Sequence, residues 1–339
     1  MRIAVIAVTS KNGEKGGAER FYEGLVLSLN SSGIKADIIN IISDEDSFEK
    51  IEETLLRFYD LDLSGYDGVI STKAPSYLIR HPNHICYLIH TMRVFYDMFE
   101  LEFRTINQTV KNQRDLIHKI DRGALSKPKT KKIFTIGREV SRRLLKWNKL
   151  ESEVLHPALP FDNFETGSYD YIFMPGRLHR WKRVDLIINA FKYIKAPLIL
   201  KIAGVGEDQN KLKALAADDK RIQFLGKVSD KELINYYSNA LAVPFVPKNE
   251  DYGYVTLEAF KSEKPVITCN DSGEPAYFVC DGDTGFVCNP DPREIAQKIE
   301  FLHKNRDAAK EMGKRAKRSI DHIRWDSITE KLVNTLTSN

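Results

Sequence analysis

The sequence has little of what marks metal centres, disulfide scaffolds and membrane spans. It contains four cysteines, Cys86, Cys269, Cys280 and Cys288, with no paired metal spacing and no disulfide-scaffold density. The apolar stretch Ile3 to Val8 is too short for a secretory signal core, and no apolar run approaches the roughly 20 residues of a membrane span. We therefore expect a cytoplasmic protein, either soluble or peripheral, with the inner face of the membrane left open as its location.

Other absences exclude classes of ligand. A nicotinamide-dinucleotide site needs spaced glycines after a first strand, and Gly204-Val-Gly206 lacks the third glycine. No Asp-x-Asp metal motif flanked by a strand is found, so neither a metal nor a cofactor is expected. The formal net charge is only +4, so the whole chain is not predicted to bind a polyanion, and no nucleic acid partner is expected.

What the sequence does contain is a regular alternation of strand and helix. A helix is expected over Ala18 to Asn30, and another opens with the capping box Ser229-Asp-Lys-Glu232. Strands are expected at Arg2 to Val8, Ala36 to Ile41, Asp67 to Ser71, Ile85 to His90, Phe134 and Val154, and then at Tyr171, Leu198, Ile222, Leu241, Val266 and Phe286. This alternation predicts an α/β fold with two doubly wound parallel sheets.

The length suggests two domains of about 150 residues, each able to bury its own core. The boundary is predicted near Pro157 to Gly167, where prolines and a glycine interrupt the periodicity. We expect an N-terminal domain over residues 1–160 and a C-terminal domain over residues 161–321. The helix expected at about 322–339 is predicted to pack back on the N-terminal domain.

Two carboxylates at one sheet edge are candidates for a ligand site. Leu241 to Val246 is predicted to be a buried strand and Val255 to Ser262 has helical spacing, so Glu250 follows a strand and Glu258 lies one turn into a helix. Ligands of open α/β sheets bind at the carboxyl ends of strands. Fixed carboxylates accept hydrogen bonds from the vicinal hydroxyls of a sugar, and Gly253 lets backbone amides approach closely. The pair indicates a sugar-nucleotide site, with two solvated charges as the alternative.

Two cations are predicted at the same edge. Arg177 and Lys182 follow the expected strand Tyr171 to Met174 and its Gly176, and they precede the amphipathic helix Val184 to Phe191. Guanidinium, ammonium and the unpaired amides of a helix start all favour phosphate oxygens. A solvated basic surface is the alternative, but the cationic and acidic segments support each other.

The ordered set of motifs spans nearly the whole chain. Its members are Gly16-Gly17-Ala18-Glu19-Arg20, Gly176-Arg177-Leu178 with Lys182, Gly204-Val205-Gly206-Glu207, Phe224 to Ser229, the Glu250/Glu258 pair and Gly282 to Val287. In this order they resemble a family 4 (group 1) retaining glycosyltransferase. The resemblance implies the GT-B fold, in which two Rossmann-like domains face each other across a cleft.

The resemblance also implies roles for individual residues. Arg177 and Lys182 would hold the diphosphate of a nucleotide-sugar donor, Glu258 its ribose, and Glu250 with the amides around Gly253 the transferred sugar. The polar loop Thr9 to Gly17 could present its amides to the donor phosphates. The further donor-binding positions are Gly16, Gly17, Gly176, Gly204, Val228, Tyr252, Tyr254 and Val255.

One segment of the first half narrows the resemblance. His90-Thr-Met-Arg-Val-Phe-Tyr-Asp97 is similar to a stretch of a mannosyltransferase-like subgroup of family 4, where it lies beside the transferred sugar. The resemblance implies that His90 is catalytic together with Arg177, Lys182 and Glu250. Taken alone, a histidine at a strand end leaves a purely structural role open.

The function that this resemblance implies is metal-independent, retaining transfer of a hexose from a nucleoside diphosphate to a hydroxyl. The leaving phosphate can accept the proton of the acceptor, and the cations stabilise the departing diphosphate. We expect mannose from GDP-mannose, and a glycan or lipid-linked acceptor of polysaccharide biosynthesis. A UDP-hexose transferase of the same fold and a non-catalytic sugar-nucleotide-binding partner of a glycan assembly complex stay open.

Positive charge is concentrated in one segment. Between Arg104 and Lys149 fourteen lysines and arginines stand against three acidic residues. The cluster includes Lys127 to Lys132, Arg138, Arg142, Arg143 and Lys146. It predicts contact with an anionic leaflet or a lipid-pyrophosphate acceptor, each cation adding about 1 kcal/mol of membrane attraction. The alternative is a solvated helical face.

Overall fold

The computed structural model of the protein describes residues 1–10, 16–103 and 105–338. Residues 11–15 of the loop predicted between Thr9 and Gly17, and Arg104 at the start of the basic segment, lie outside the described residues. The chain divides into two compact units: unit 1 comprises Met1–Pro160 and Ile323–Asn339, and unit 2 comprises Phe161–His322. Each unit contains one six-stranded sheet.

The sheet of unit 1 is parallel, with the strand order β2-β1-β3-β4-β5-β6. Its strands are β1 (Arg2–Ser10), β2 (Lys35–Ser43), β3 (Gly68–Ser71), β4 (His84–Leu88), β5 (Lys132–Thr135) and β6 (Glu153–Val154). The run from Ile3 to Val8 in β1 is buried throughout, because a parallel strand in this position is covered by packing on both faces.

The sheet of unit 2 is also parallel, with the order β12-β11-β10-β7-β8-β9. Its strands are β7 (Tyr171–Pro175), β8 (Leu200–Ala203), β9 (Ile222–Gly226), β10 (Ala240–Pro244), β11 (Val266–Cys269) and β12 (Gly285–Cys288). The predicted pair of parallel α/β sheets is therefore confirmed. Leu198, expected within a strand, is buried in the core just before β8 begins.

Helices connect the strands in both units. They are α1 (Gly17–Ser31), α2 (Phe48–Tyr59), α3 (Phe99–Glu102), α4 (Gln108–Leu125), α5 (Arg138–Asn148), α6 (Val184–Phe191), α7 (Gln209–Leu215), α8 (Asp230–Ser238), α9 (Tyr254–Lys261), α10 (Glu274–Phe278), α11 (Pro292–Lys304), α12 (Arg306–Ser319) and α13 (Trp325–Thr337). Short 3-10 turns lie at Ser76–Leu78, Arg93–Phe95 and Arg180–Lys182. The predicted capping box at the start of α8 is present, with reciprocal bonds between Ser229 and Glu232.

The last helix, α13, belongs to unit 1 and packs on α1. A Cβ atom on Gly24 of α1 would lie 2.6 Å from the ring of Trp325, so only glycine permits this approach. The indole Nε1 of Trp325 donates to the carbonyl of Leu159 at 2.9 Å, which fixes the start of the helix. Across the parts of the chain that the structure describes, no helix has both the length and the apolar character needed to span a bilayer.

The strand orders define one switch point in each sheet. In unit 1 the chain leaves β1 toward β2 and then returns past it to β3. In unit 2 it proceeds from β7 to β8 and β9, then crosses to β10 on the other side of β7. Ligands of open α/β sheets bind at the carboxyl ends of the two strands that flank such a point. Each unit therefore has one favoured edge for a ligand.

Candidate functional site

The switch point of unit 2 brings together the cationic and acidic segments that the sequence singled out. Gly176, Arg177 and Lys182 follow β7, and the loop that ends at Glu250 follows β10. The Nζ atom of Lys182 lies 2.7 Å from Oε1 and 2.6 Å from Oε2 of Glu250. Their side chains are 26% and 18% exposed, so the ion pair is only partly solvated. Two residues predicted to bind different parts of a donor are thus paired with each other.

The loop between β10 and Glu250 is held by Arg183. Its Nε donates to the carbonyl of Val246 at 2.6 Å, and its Nη2 donates to the carbonyl of Pro247 at 2.8 Å. The predicted strand through Val246 therefore stops at Pro244, because these carbonyls bond to a side chain instead of a neighbouring strand. Arg183 itself has a left-handed backbone with φ of 51°.

Arg183 is held in turn by a carboxylate. Its guanidinium contacts both oxygens of Asp271, at 2.9 and 2.7 Å, and Lys248 approaches the same carboxylate at 2.8 Å. Burial raises the pKa of Asp271, but the hydrogen bonds from Arg183 and Lys248 outweigh burial and leave the pKa below its usual value. The guanidinium of Arg183 therefore links the loop after β10 to Asp271.

Backbone bonds fix the position of Glu250. Its N–H donates to the carbonyl of Ser272 at 2.9 Å, and its carbonyl accepts from the N–H of Glu274 at 3.0 Å. Glu250 and Gly273 form an isolated parallel bridge. The carboxylate therefore extends from a backbone that is tied to the segment after β11, which leaves the side chain as the movable part.

Two glycines shape the turn after β7. Gly204, which follows β8, has φ of +127°, and a Cβ there would lie 2.0 Å from the carbonyl oxygen of Gly176. Among the described residues other than its chain neighbours, no heavy atom lies within 4 Å of the position that a Cβ on Gly176 would occupy. The turn is thus closed on the side of β8 and open at Gly176, which suits close approach by a ligand.

Several residues around Glu258 that were predicted to contact a donor already make contacts within the protein. Glu258 is 3% exposed, and its Oε2 accepts from the hydroxyl of Tyr237 in α8 at 2.6 Å. Gly253 has φ of +79° and would place a Cβ 2.5 Å from the ring of Phe245, so α9 begins tightly against the loop. Tyr252 is buried and packs edge-on against Tyr254 at 5.2 Å between ring centroids.

The remaining predicted positions divide between the two units. Val255 is half-buried in the first turn of α9, and Val228 is half-buried beyond β9, one strand away from β8. Gly16 and Gly17 belong to unit 1 at the start of α1, where the N–H of Gly16 donates to Glu19 at 2.8 Å. His90 also belongs to unit 1; it follows β4, and its Nδ1 lies 2.8 Å from the carbonyl of Thr91.

A histidine that the sequence did not single out flanks the switch point. The Nδ1 of His179 accepts from the N–H of Trp181 at 3.1 Å, which orders the turn that carries Lys182. Its Nε2 lies 3.4 Å from Glu207. Burial lowers the pKa of His179 despite the opposing charge of Glu207. A polar residue just before a short turn was the only available signal for this role.

The arrangement suits an anionic ligand with hydroxyl groups. Arg177 and Lys182 can bind phosphate oxygens, and Glu250 can accept hydrogen bonds from hydroxyls. Among the residues described, no group of three or more His, Cys, Asp and Glu side chains is placed to hold a metal ion.

Comparison with known proteins places these features in a family. The family model of the group 1 glycosyl transferases matches residues 157–319, nearly all of unit 2. The human alpha-1,3/1,6-mannosyltransferase ALG2 is 31% identical over 221 residues, which cover 56% of this chain and 53% of that enzyme. The capsular polysaccharide biosynthesis glycosyltransferase CapM of Staphylococcus aureus is 27% identical over 259 residues, or 71% of this chain and 65% of the relative. The chain thus spans less than two thirds of the length of either.

Solved structures agree on the fold. The crystal structure of Anabaena Alr3699/HepE in complex with UDP and glucose superposes with a TM-score of 0.73 over 100% of both chains, at 14% identity. A likeness at that identity speaks for the fold alone. Residues 157–319, nearly all of unit 2, match the group 1 glycosyl transferases, and the chain has the GT-B fold.

Proposed function

We propose that the protein transfers a hexose from a nucleoside diphosphate to a hydroxyl acceptor, and that unit 2 binds the donor. The observation that carries this proposal is the Lys182–Glu250 pair at the switch point of unit 2. A cation suited to phosphate and a carboxylate suited to sugar hydroxyls thus form a single ion pair. That spacing matches the short distance between the diphosphate and the sugar of a nucleotide sugar.

The proposed mechanism relies on fixed positive charge. Arg177 and Lys182 bind the diphosphate and stabilise the charge that develops as it leaves, and preorganised charge of this kind lowers the barrier. Glu250 orients the sugar through its hydroxyls, and Glu258, which lies in α9 and accepts from Tyr237, is proposed to bind the ribose. His90 of unit 1 is proposed to act at the transferred sugar, and Gly16 and Gly17 at the donor phosphates.

Reaction without a metal and with retention of configuration is part of the proposal. The oxygen of the leaving phosphate takes the acceptor's proton while the new bond forms on the face that the nucleotide leaves, so no protein base is required. Transfer should persist in excess EDTA; complete loss that magnesium or manganese restores would contradict metal independence. Proton NMR of the first-formed anomer should show the α configuration, and a β product would contradict retention.

The donor that we propose is GDP-mannose. The His90 to Asp97 stretch and the similarity to a mannosyltransferase support mannose, whereas the HepE complex with UDP and glucose supports a UDP-hexose as the second candidate. A thermal-shift panel of GDP- and UDP-sugars separates them, because a ligand that binds only the folded state raises the melting temperature. Stabilisation by a UDP-hexose alone would reject GDP-mannose.

The donor site itself is tested by calorimetry with the preferred nucleoside diphosphate. Arg177→Ala and Lys182→Ala should each weaken binding by on the order of 2–5 kcal/mol, because each removes a charged partner of the diphosphate. Lys213→Ala, an exposed cation on α7, is the matched control and should bind as wild type does. Unchanged affinity in both site variants would refute the assignment.

The acceptor is proposed to be a glycan or lipid-linked hydroxyl at the inner face of a membrane. Lys132 pairs with Glu153 at 3.0 Å, and Lys131 donates to the carbonyl of Ser338. These two lysines of the predicted basic cluster therefore already have partners within the protein. The outer faces of α4 and α5 are better candidates, since they carry Leu116 and Leu145 exposed at 40% and 52%. Exposed cations accompany them at Lys111, Lys119, Arg122, Arg142, Lys146 and Lys149.

Vesicle pelleting tests this surface. Leu116→Gln with Leu145→Gln should reduce binding to phosphatidylserine vesicles, and Lys119→Gln with Lys146→Gln should flatten its salt dependence. Leu56→Gln, an exposed leucine on α2, is the control. Equal binding by all variants would show that α4 and α5 form a solvated surface that does not bind the membrane.

A further inference from the structure

The switch point of unit 1 carries a lysine that the proposed mechanism does not use. Lys73 is the second residue after β3, one of the two strands that flank this switch point. Positions just beyond the carboxyl ends of such strands face the ligand crevice of an open α/β sheet. Lys73 therefore occupies in unit 1 the kind of position that the residues after β7 occupy in unit 2.

The turn that carries Lys73 is fixed on both sides. The hydroxyl of Thr72 donates to the carbonyl of Ile6 in β1 at 2.7 Å, and the N–H of Ile89 donates to the carbonyl of Thr72 at 2.7 Å. The N–H of Ala74 donates to the carbonyl of His90 at 3.0 Å. Residues 72 to 77 are all buried apart from Lys73, which is half-buried. A rigid turn thus presents a single side chain.

The ammonium group of Lys73 has given up water without gaining a direct partner. Over the described ranges, no side chain lies within hydrogen-bond or ion-pair distance of it. Burial lowers the pKa of Lys73, and the more distant charges of Glu45 and Glu19 oppose this effect. A partly desolvated cation is costly unless an anion compensates it, and such groups are concentrated at functional sites.

We propose that Lys73 binds an anionic group, a phosphate or a carboxylate, of the acceptor substrate. The inference rests on the proposed function, since it assigns an acceptor to unit 1. The bond between Ala74 and His90 places this anion beside the residue proposed to act at the transferred sugar. The two carboxylates at Glu19 and Glu45 favour a ligand with one anionic group over a polyanion, since a larger negative charge would be repelled. Lys73 is thus a specificity-determining residue of the acceptor site.

Transfer kinetics test the proposal with octyl glucosides that carry a neutral 6-hydroxyl, a 6-carboxylate or a 6-phosphate. Lys73→Gln should raise KM for the preferred anionic acceptor by about tenfold or more, the size of one lost charged hydrogen bond, and leave kcat and the neutral acceptor almost unchanged. Lys73→Arg should restore part of the loss. Lys35→Gln, an exposed lysine at the start of β2, is the matched control. An equal loss for neutral and anionic acceptors would overturn the proposal.

A binding measurement keeps the inference separate from the proposed function. Acetylation of Lys73 by limiting acetic anhydride is followed by mass spectrometry, with methyl phosphate, methyl glucuronide or methyl glucoside present. Protection by methyl phosphate identifies a phosphate site, protection by the glucuronide a carboxylate site, and protection by neither, or equally by the glucoside, refutes the anion site. If no donor binds Arg177 and Lys182, the proposed function fails, while this footprint still decides the role of Lys73.

Discussion

The two units have parallel sheets with different strand orders and differently prepared ligand edges. In unit 2 the first strand lies between its second and fourth strands, and in unit 1 between its second and third. The edge of unit 2 holds its own counterions, as in the pairs Lys182–Glu250 and Arg183–Asp271. At the edge of unit 1, the described residues include no such counterion within ion-pair distance of Lys73. Topology determines where a ligand binds, whereas the loop residues determine its chemistry.

The difference in counterions changes the energetic cost of binding a ligand at the two edges. A donor that binds Lys182 must compete with Glu250, so part of its binding energy goes into separating that pair. Within the described residues, an anion that binds Lys73 would displace no ion pair, and it would compensate the loss of water caused by burial. A ligand must therefore break an ion pair to bind at the proposed donor site, whereas none of the described residues forms such a pair at the proposed acceptor site.

The largest expected effect is on the turn of unit 2. Gly204→Ala should destabilise the protein by roughly 3–5 kcal/mol, because the new Cβ meets the carbonyl of Gly176 and the left-handed backbone is strained. Gly226→Ala is the control: its φ is +70°, but in the described parts of the chain no heavy atom beyond its own neighbours lies within 4 Å of the new Cβ, so it should cost about 1 kcal/mol. Urea unfolding measures both. Equal losses would show that the contact with Gly176 is unimportant.

A second prediction concerns a buried carboxyl in unit 1. Tyr96 donates to Asp121 at 2.7 Å, and Asn148 donates to the hydroxyl of Tyr96 at 3.0 Å. Burial raises the pKa of Asp121 to about 6 despite the hydrogen bond from Tyr96. The unfolded chain ionises near 3.8, so the stability that this residue contributes is complete below pH 4 and is lost as pH rises to 6.

Asp121→Asn should remove this dependence. The free energy of unfolding of wild type should fall relative to the variant by about 2 kcal/mol between pH 4 and pH 7, since one pKa unit corresponds to about 1.4 kcal/mol. The asparagine oxygen can still accept from Tyr96, so the fold is kept. Urea titrations of both proteins at four pH values give the difference, and parallel curves would disprove the burial argument.

The sequence predicted the two sheets, and it predicted that Lys182 and Glu250 lie at one sheet edge, because both follow from local patterns. Strand ends in a parallel sheet share an edge, so Lys182 and Glu250 could be placed near each other although 68 positions separate them. Their direct pairing could not be predicted, since it depends on the path of the loop after β10. That path depends on Arg183, whose left-handed backbone is unusual for a residue other than glycine.

The interior of unit 1 was less accessible to sequence reasoning. Tyr96 and Asp121 lie 25 positions apart, and no periodicity relates the end of a short turn to the middle of α4. Lys73 belongs to none of the ordered motifs of the chain. Only its burial and the hydrogen bonds that tie its turn to β1 and to the end of β4 distinguish it, and both are properties of the folded chain.

The third prediction tests whether the loop of unit 2 is organised by Arg183. Arg183→Lys should cost about 2 kcal/mol of stability, because lysine cannot contact two carbonyls and a carboxylate at once, and it should lower kcat more than donor affinity. Lys248→Gln removes another contact to the same Asp271 from a side chain that is 40% exposed, so it should cost less than about 1 kcal/mol. Similar effects of the two variants would argue against a special role for Arg183.

The smallest expected effect is also the most direct test of competition at the donor site. Glu250→Gln removes the charge that holds Lys182, so the bare nucleoside diphosphate should bind about twofold to fivefold more tightly, as expected for a partly exposed ion pair worth up to about 1 kcal/mol. The same variant should transfer sugar more slowly, because it loses the carboxylate that is proposed to accept hydrogen bonds from the sugar hydroxyls. Calorimetry with the diphosphate and initial rates with the sugar nucleotide report the two effects. Lys248→Gln, which leaves the Lys182–Glu250 pair intact, should leave diphosphate affinity unchanged. Weaker binding of the diphosphate by Glu250→Gln would mean that Glu250 supports the phosphate site instead of competing for its lysine.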